Sequence, residues 1–206
     1  MMMNIIKDFF GYDSEVNILP RDGQVHYYGT IMNSHDIEHY HNLLLSTLPW
    51  KHDEVVINGK HIVTTRKIVW VADAQYNYRY SGITKQVTPW TKELLELKSR
   101  IEELALTKFN SCLLNLYHDG MEGMAWHSDD EASLGKNTTI ASLSFGAARK
   151  FSFRHKCTKE AISLILEPGS LLIMKGETQT HWQHSLLKSA RIHTPRINLT
   201  FRKIIR

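Results

Sequence analysis

From Phe109 to the C-terminus the chain reads as one short strand after another, and no other feature limits its fold as much. The segments 113–117, 139–145, 150–155, 162–166, 170–174 and 197–204 have strand composition, and Gly120, Gly135-Lys136-Asn137, Gly146 and Pro168-Gly169 punctuate them. Short strands in series, joined by tight turns, suggest a sandwich or a jelly roll. Two helices come first. Ser34 precedes a stretch through Leu48 with Ile37, Tyr40, Leu44 and Leu48 at helical spacing. Thr88-Pro89 reads as a cap with proline at the first helical position, after which Leu94, Leu97, Ile101 and Leu104 keep one apolar face. Between the helices, residues 54–82 are rich in Val, Ile, Tyr and Trp, and Asn58-Gly59 marks a hairpin turn. Helices followed by strands make the class α+β.

At 206 residues, 42 % hydrophobic and 22 % charged, the chain is one domain able to bury a core without staples. Two cysteines, Cys112 and Cys157, exclude a disulfide framework and favour a reducing compartment. No apolar run approaches the roughly 18 residues of a membrane span, and residues 1–10 lack a secretory pattern. A cytoplasmic monomer away from membranes is expected, or a nuclear one in a eukaryotic cell. The net charge of +4 is unevenly spread. Residues 147–206 carry twelve Lys/Arg against three Asp/Glu, while the first 146 carry thirteen against eighteen. A basic C-terminal third suits an anionic partner such as nucleic acid, although a solvated face would look the same.

Twelve histidines invite a search for metal ligands. In Trp126-His127-Ser128-Asp129, an imidazole and a carboxylate stand two residues apart, on one side of an extended segment. His181-Trp182-Gln183-His184 offers two candidates for a third ligand. Two histidines and a carboxylate with open positions suit non-haem Fe(II) oxygenases, although an isolated H-x-D pair also occurs by chance. In residues 196–202, Ile197, Leu199 and Phe201 share one face, and Arg196, Asn198, Thr200 and Arg202 share the other. Two arginines inside a barrel are costly without anions, and a dicarboxylate would satisfy them; an edge strand with its basic face in water is the alternative. Asn115 and Tyr117 repeat the polar alternation on another strand.

These segments, in order, resemble the AlkB family of Fe(II)- and 2-oxoglutarate-dependent nucleic-acid dealkylation dioxygenases. The likeness rests on Asn115-Leu116-Tyr117, on His127 through Glu131, on Ser142 through Gly146, on His184-Ser185 and on Arg196 through Arg202. It covers roughly residues 57–203, is strongest after Phe109, and resembles most the branch with the two animal DNA-repair members. The resemblance implies a double-stranded β-helix (jelly-roll) core over 108–206, with N-terminal helices and a nucleotide-recognition lid over 1–107. It implies that His127, Asp129 and His184 hold Fe(II), with His181 as the alternative distal ligand, and that Asn115, Tyr117, Arg196, Asn198 and Arg202 hold 2-oxoglutarate, O2 being the other substrate. Arg196 is assigned to the distal carboxylate.

On the substrate side, chemistry on a duplex base requires that the base leave the stack. Tyr76, Tyr78 and Tyr80 alternate along one strand face, which ordinary packing would also explain. The resemblance implies that Tyr80 stacks on the flipped base opposite His127, with Tyr78 and Ser81 close by. Asp130 and Glu131 suit the positive charge of 1-methyladenine or 3-methylcytosine, Glu131 resembling the family's lesion-recognition carboxylate. Double-strand specialists of this branch carry an aromatic wedge on the hairpin, where this chain has Ile57-Asn58-Gly59. Single-stranded DNA is therefore the expected substrate, with duplex DNA and RNA less favoured. Arg66, Lys67, Arg149, Lys150, Arg154 and Lys156 are candidate phosphate contacts. The implied reaction is oxidative demethylation with release of formaldehyde, succinate and CO2, that is, direct-reversal alkylation repair. Two other readings are the same iron chemistry on modified RNA or protein, and a nucleic-acid-binding module without catalysis.

Overall fold

A computed structural model describes residues 14–57, 59–73, 78–80, 83–85 and 87–205. The strands in chain order are β1 (Gln24–Thr30), β2 (Lys51–Ile57), β3 (Lys60–Ala72), β4 (Tyr78–Tyr80), β5 (Ile83–Lys85), β6 (Ser111–Tyr117), β7 (Met124–His127), β8 (Ile140–Gly146), β9 (Arg149–His155), β10 (Ala161–Leu166), β11 (Ser170–Lys175), β12 (Trp182–Leu186) and β13 (Arg196–Arg202). The helices are α1 (Ser34–Thr47), α2 (Lys92–Ala105) and the single turn α3 (Thr178–His181). A seven-stranded sheet in the order β1-β11-β8-β13-β6-β3-β2 and a four-stranded sheet in the order β10-β9-β12-β7 make the core, while β4 and β5 form a separate hairpin. No described helix is long and apolar enough to cross a membrane.

Alternation along the central strands decides what each face does. On β13, Ile197, Leu199 and Phe201 join Leu114 and Leu116 of β6 and Leu143 and Phe145 of β8 in one apolar face. The helices cover that face with Leu44 and Leu48 from α1 and its end, and with Leu94, Leu97, Ile101 and Ala105 from α2. Each such leucine, isoleucine or phenylalanine, fully buried, contributes about 1.5–3 kcal/mol. The opposite face of the same strands looks into the space between the sheets. One end of that space is filled by Val25, Tyr27, Ile140, Phe153, Leu172 and Trp182. The other end is open to polar chemistry.

Several expectations need correction. Thr88 does not cap the second helix: it bridges to Val71 and donates its N–H to the Trp70 carbonyl, and Thr91 caps instead, accepting from Leu94 N. Three further strands lie outside the segments read as strands: β7 and β12 are only four and five residues long, while β1 has seven residues and alternates in burial. Residue 107 does not divide the sheet, because β1 forms one edge of the large sheet and β2 and β3 form the other. The polar face of β13 is no edge in solvent, since β13 lies between β8 and β6.

Candidate metal and co-substrate site

His127 closes β7, and the register of the β7–β12 pair sets His184 directly opposite it, with ring centroids 4.2 Å apart. Asp129 follows two residues later, beyond the end of the strand, so a loop and not the strand pleat brings the carboxylate in. Two bonds hold that loop, and a third ties β12 to the start of β7. Ser128 Oγ donates to the Trp182 carbonyl at 2.9 Å, Asp129 N donates to Gln179 Oε1 at 2.9 Å, and Ser185 Oγ donates to the Met124 carbonyl at 2.8 Å. The result places ligand atoms of His127, Asp129 and His184 within 4.8 Å of one another. His181 is not among them. It ends α3 and stacks on His155, 6.2 Å between centroids.

The electrostatics prepare this triad for a cation. Burial pushes the His184 imidazole down to about 3, an effect that His127 and Arg202 reinforce and Asp129 partly opposes. Burial would raise the Asp129 carboxyl, but Arg202, His184 and His127 together hold it below the usual carboxylate range. A neutral imidazole and an ionised carboxylate are the forms that ligate a metal. His127 Nδ1 lies 2.8 Å from the Ala125 carbonyl, which fixes its ring and leaves Nε2 for the metal. The donor set of two imidazoles and one carboxylate fits Fe(II).

Across the cavity, Asn115, Tyr117, Arg196, Asn198 and Arg202 line the wall formed by β6 and β13. Arg202 Nη2 donates to Asp129 Oδ1 at 2.8 Å, so this guanidinium stands at the metal end. Arg196 is 2 % exposed and donates to Ser144 Oγ at 2.9 Å and to Asn198 Oδ1 at 2.8 Å. Burial pushes it down to about 10, still protonated at neutral pH, and its Nε has no hydrogen-bond partner among the described residues. A buried cation with an unused donor is costly until an anion arrives. The cavity therefore fits a small dicarboxylate beside the metal.

Not every anticipated contact is part of this cavity. Asp130 is exposed and lies 3.7 Å from Lys156 Nζ, and neither it nor the half-buried Glu131 lines the cavity wall. Arg66 and Arg149 are not surface cations available to phosphate. Arg66 is buried against Asp53, and Arg149 donates to the carbonyls of Asp119, Glu122 and Leu187. Arg154 stacks over Trp126 at 4.3 Å, while Lys150 is exposed and Lys67 half-buried. Tyr78 and Tyr80 form the backbone of β4; their side chains, that of Ile57, and the residues Tyr76, Ser81 and Asn58 lie outside the described residues. Gln179 was missed. It sits in a turn fifty residues from Asp129 with no pattern around it, and only the folded chain brings the two together.

The family described as the 2OG-Fe(II) oxygenase superfamily matches residues 24–202. The chain is 41 % identical over 160 residues to the DNA oxidative demethylase ALKBH2 of Mus musculus, across 74 % of this chain and 67 % of that one. It is 41 % identical over 171 residues to the alpha-ketoglutarate-dependent dioxygenase alkB homolog 3 of Mus musculus, across 78 % of this chain and 59 % of that one. The matched part thus spans about three-fifths to two-thirds of these curated relatives. In fold alone, the chain resembles a Pseudomonas putida prolyl-4-hydroxylase, with a TM-score of 0.58 at 13 % identity, over 87 % of this chain and 92 % of that one. That likeness agrees with a double-stranded β-helix built from the two sheets. Identity of this extent, with a family match that spans the metal triad and the arginine strand, means that the chain belongs to the 2OG-Fe(II) oxygenase superfamily and, within it, to the AlkB family beside its animal DNA-repair members.

Proposed function

We propose that this chain demethylates 1-methyladenine and 3-methylcytosine in DNA, preferring single strands over duplex, with RNA as a second substrate. The observation that carries this reading is one cavity in which His127, Asp129 and His184 face buried Arg196 and Arg202. Relatives named as a DNA oxidative demethylase and an alpha-ketoglutarate-dependent dioxygenase support the reaction class. Iron, when bound with 2-oxoglutarate and O2, supplies the oxidation that hydroxylates an N-methyl carbon, with release of succinate, CO2 and formaldehyde.

The protein's own work is binding and orientation. Arg202, tied to Asp129, takes the carboxylate nearer the metal, and Arg196 takes the distal one together with Asn198 and Tyr117. Half a turn of the Asn115 amide, whose Oδ1 is buried without a partner, would offer N–H donors to the same ligand. His127 is half-buried at the cavity and offers a ring face to an extruded base. Tyr80 and Tyr78 stack from the lid, with Ser81, Ile57 and Asn58 as further lid contacts. Glu131 and Asp130 compensate the positive charge of the N-methylated base.

The test is formaldehyde release from single-stranded oligonucleotides bearing either lesion, with and without Fe(II) and 2-oxoglutarate. No release under any condition sinks the proposal. Extruding a paired base costs a few kcal/mol, and stacking with an aromatic residue would return roughly 1–3 kcal/mol of it. Because the sequence between β2 and β3 is Asn58-Gly59, with no aromatic residue, duplex substrate should be slower, and Asn58→Phe should narrow the gap. Equal wild-type rates would remove the strand preference while leaving the reaction.

A further inference from the structure

The hairpin of β2 and β3 has an irregular root. His52 pairs with Lys67, but the next registered pair is Glu54 with Val63, so Asp53 alone faces residues 64–66. Such a bulge turns side chains out of ordinary alternation. Here Asp53 and Arg66 turn inward, 2 % and 7 % exposed, and Arg66 Nη2 donates to Asp53 Oδ2. A buried ion pair adds little net stability over an apolar pair of similar size, so its presence asks for another role.

The sheet register suggests that role. Lys67 lies opposite Leu116, and one step further sets Arg66 level with Tyr117. The β13–β6 register sets Arg196 on the other side of the same tyrosine. Arg66 Nη1 lies 3.1 Å from Met124 Sδ, and although burial would lower the Arg66 guanidinium, Tyr117 and Asp53 together hold it above its ordinary range. Tyr117 and Met124 both line the metal cavity, whereas Asp53 and Arg66 stand behind them. A guanidinium can only donate, so towards Arg66 the phenol can act only as an acceptor, which leaves its own proton to point at another acceptor.

We infer that Asp53 and Arg66 are positioning residues for the co-substrate: the pair orients the Tyr117 hydroxyl as a donor to a carboxylate of 2-oxoglutarate. Co-substrate affinity then depends on whether the root of the hairpin is seated, which links the lid to the cavity. This inference rests on reading the cavity as the 2-oxoglutarate site.

The test is calorimetric titration of 2-oxoglutarate into the Co(II)-loaded protein, with Co(II) affinity and melting temperature recorded for each variant. Arg66→Lys keeps a cation beside Asp53 but loses the planar fork that reaches Asp53 and Met124 at once. It should weaken 2-oxoglutarate about tenfold, the scale of one hydrogen bond to a charged group. Tyr117→Phe should weaken it similarly, and the double variant should be no weaker than Tyr117→Phe alone. Asp53→Asn, which preserves volume and releases Arg66, should show the same direction and provides the test if Arg66→Lys does not fold. Additive losses in the double variant, or wild-type affinity with only a lowered melting temperature, would overturn the inference. Arg196→Met separates the two levels. If it binds weakly while Arg66→Lys binds normally, only the positioning role fails; if neither affects binding, the cavity is not the 2-oxoglutarate site.

Discussion

Replacing Gln179 with methionine tests how the metal carboxylate is held. The side chain is 6 % exposed, its Oε1 accepts from Asp129 N at 2.9 Å, and its Nε2 lies 3.4 Å from Met174 Sδ on the cavity wall. Methionine conserves the volume and removes the acceptor, so packing should change little. The Asp129 N–H is then buried without a partner, which costs about 1–3 kcal/mol. Part of that cost appears as lost folding stability, at roughly 2–4 °C per kcal/mol for a chain of this size. The remainder appears in the metal, because freeing the loop lets the carboxylate move away from the two imidazoles; partners of this kind are worth about 10–100-fold in metal affinity. Competitive Co(II) titration against a chromophoric chelator measures the second effect, and a thermal melt of metal-free protein measures the first. A melting temperature several degrees lower, with metal affinity unchanged, would show that Gln179 braces the fold alone. No change in either would mean that the bond contributes nothing.

Further outcomes follow from the same geometry. His127→Ala, Asp129→Ala and His184→Ala should each abolish formaldehyde release, while His181→Ala should retain it; the reverse for the last two would reassign the distal ligand. Arg196→Met and Arg202→Met should raise the 2-oxoglutarate concentration needed for half-maximal turnover by the equivalent of about 2–5 kcal/mol, since each strips a buried charge of its partner; an unchanged requirement places both outside the co-substrate site. Burial would raise the Glu102 carboxyl, but Lys108, the Phe109 N–H and Lys98 outweigh it and hold it below its ordinary value. Its stabilisation is therefore present above the unfolded carboxyl range and lost as pH falls through the lowered folded value. Glu102→Gln should destabilise the protein at neutral pH, and the difference should disappear in acid; a constant difference from pH 7 to roughly pH 3 would refute that linkage.

Where two periodic signals coincide, the chain could be read before it was folded. Residues 196–202 alternate so strictly that both faces of β13 follow from residue order, and the helices then decide which face is inside. The metal triad was legible for a different reason: His127 and Asp129 stand close in sequence. The choice between His181 and His184 was not legible from spacing, because it turns on where β12 begins and on which rung it meets β7. Thr88 and Thr91 both precede helical patterns, and the neighbouring Pro89 favoured the wrong one; the bridge to Val71 that claims Thr88 is a long-range contact. Arg66 and Arg149 look like surface cations in one dimension. Their partners, a carboxylate in a bulge and three loop carbonyls, are assembled only by the sheet.

The metal ligands come from β7, its following loop and β12, all on the small sheet, whereas the arginines come from a strand of the large one. The bond from Arg202 to Asp129 crosses that seam. A ligand that touches the metal at one end and Arg196 at the other therefore ties the two layers together. Metal and co-substrate should each raise the melting temperature, and together by more than the sum of the two, since whichever arrives first aligns the layers for the other. When either small molecule is scarce the layers lose a tie, and the protein should unfold, and be cut by protease, more readily than when both are bound.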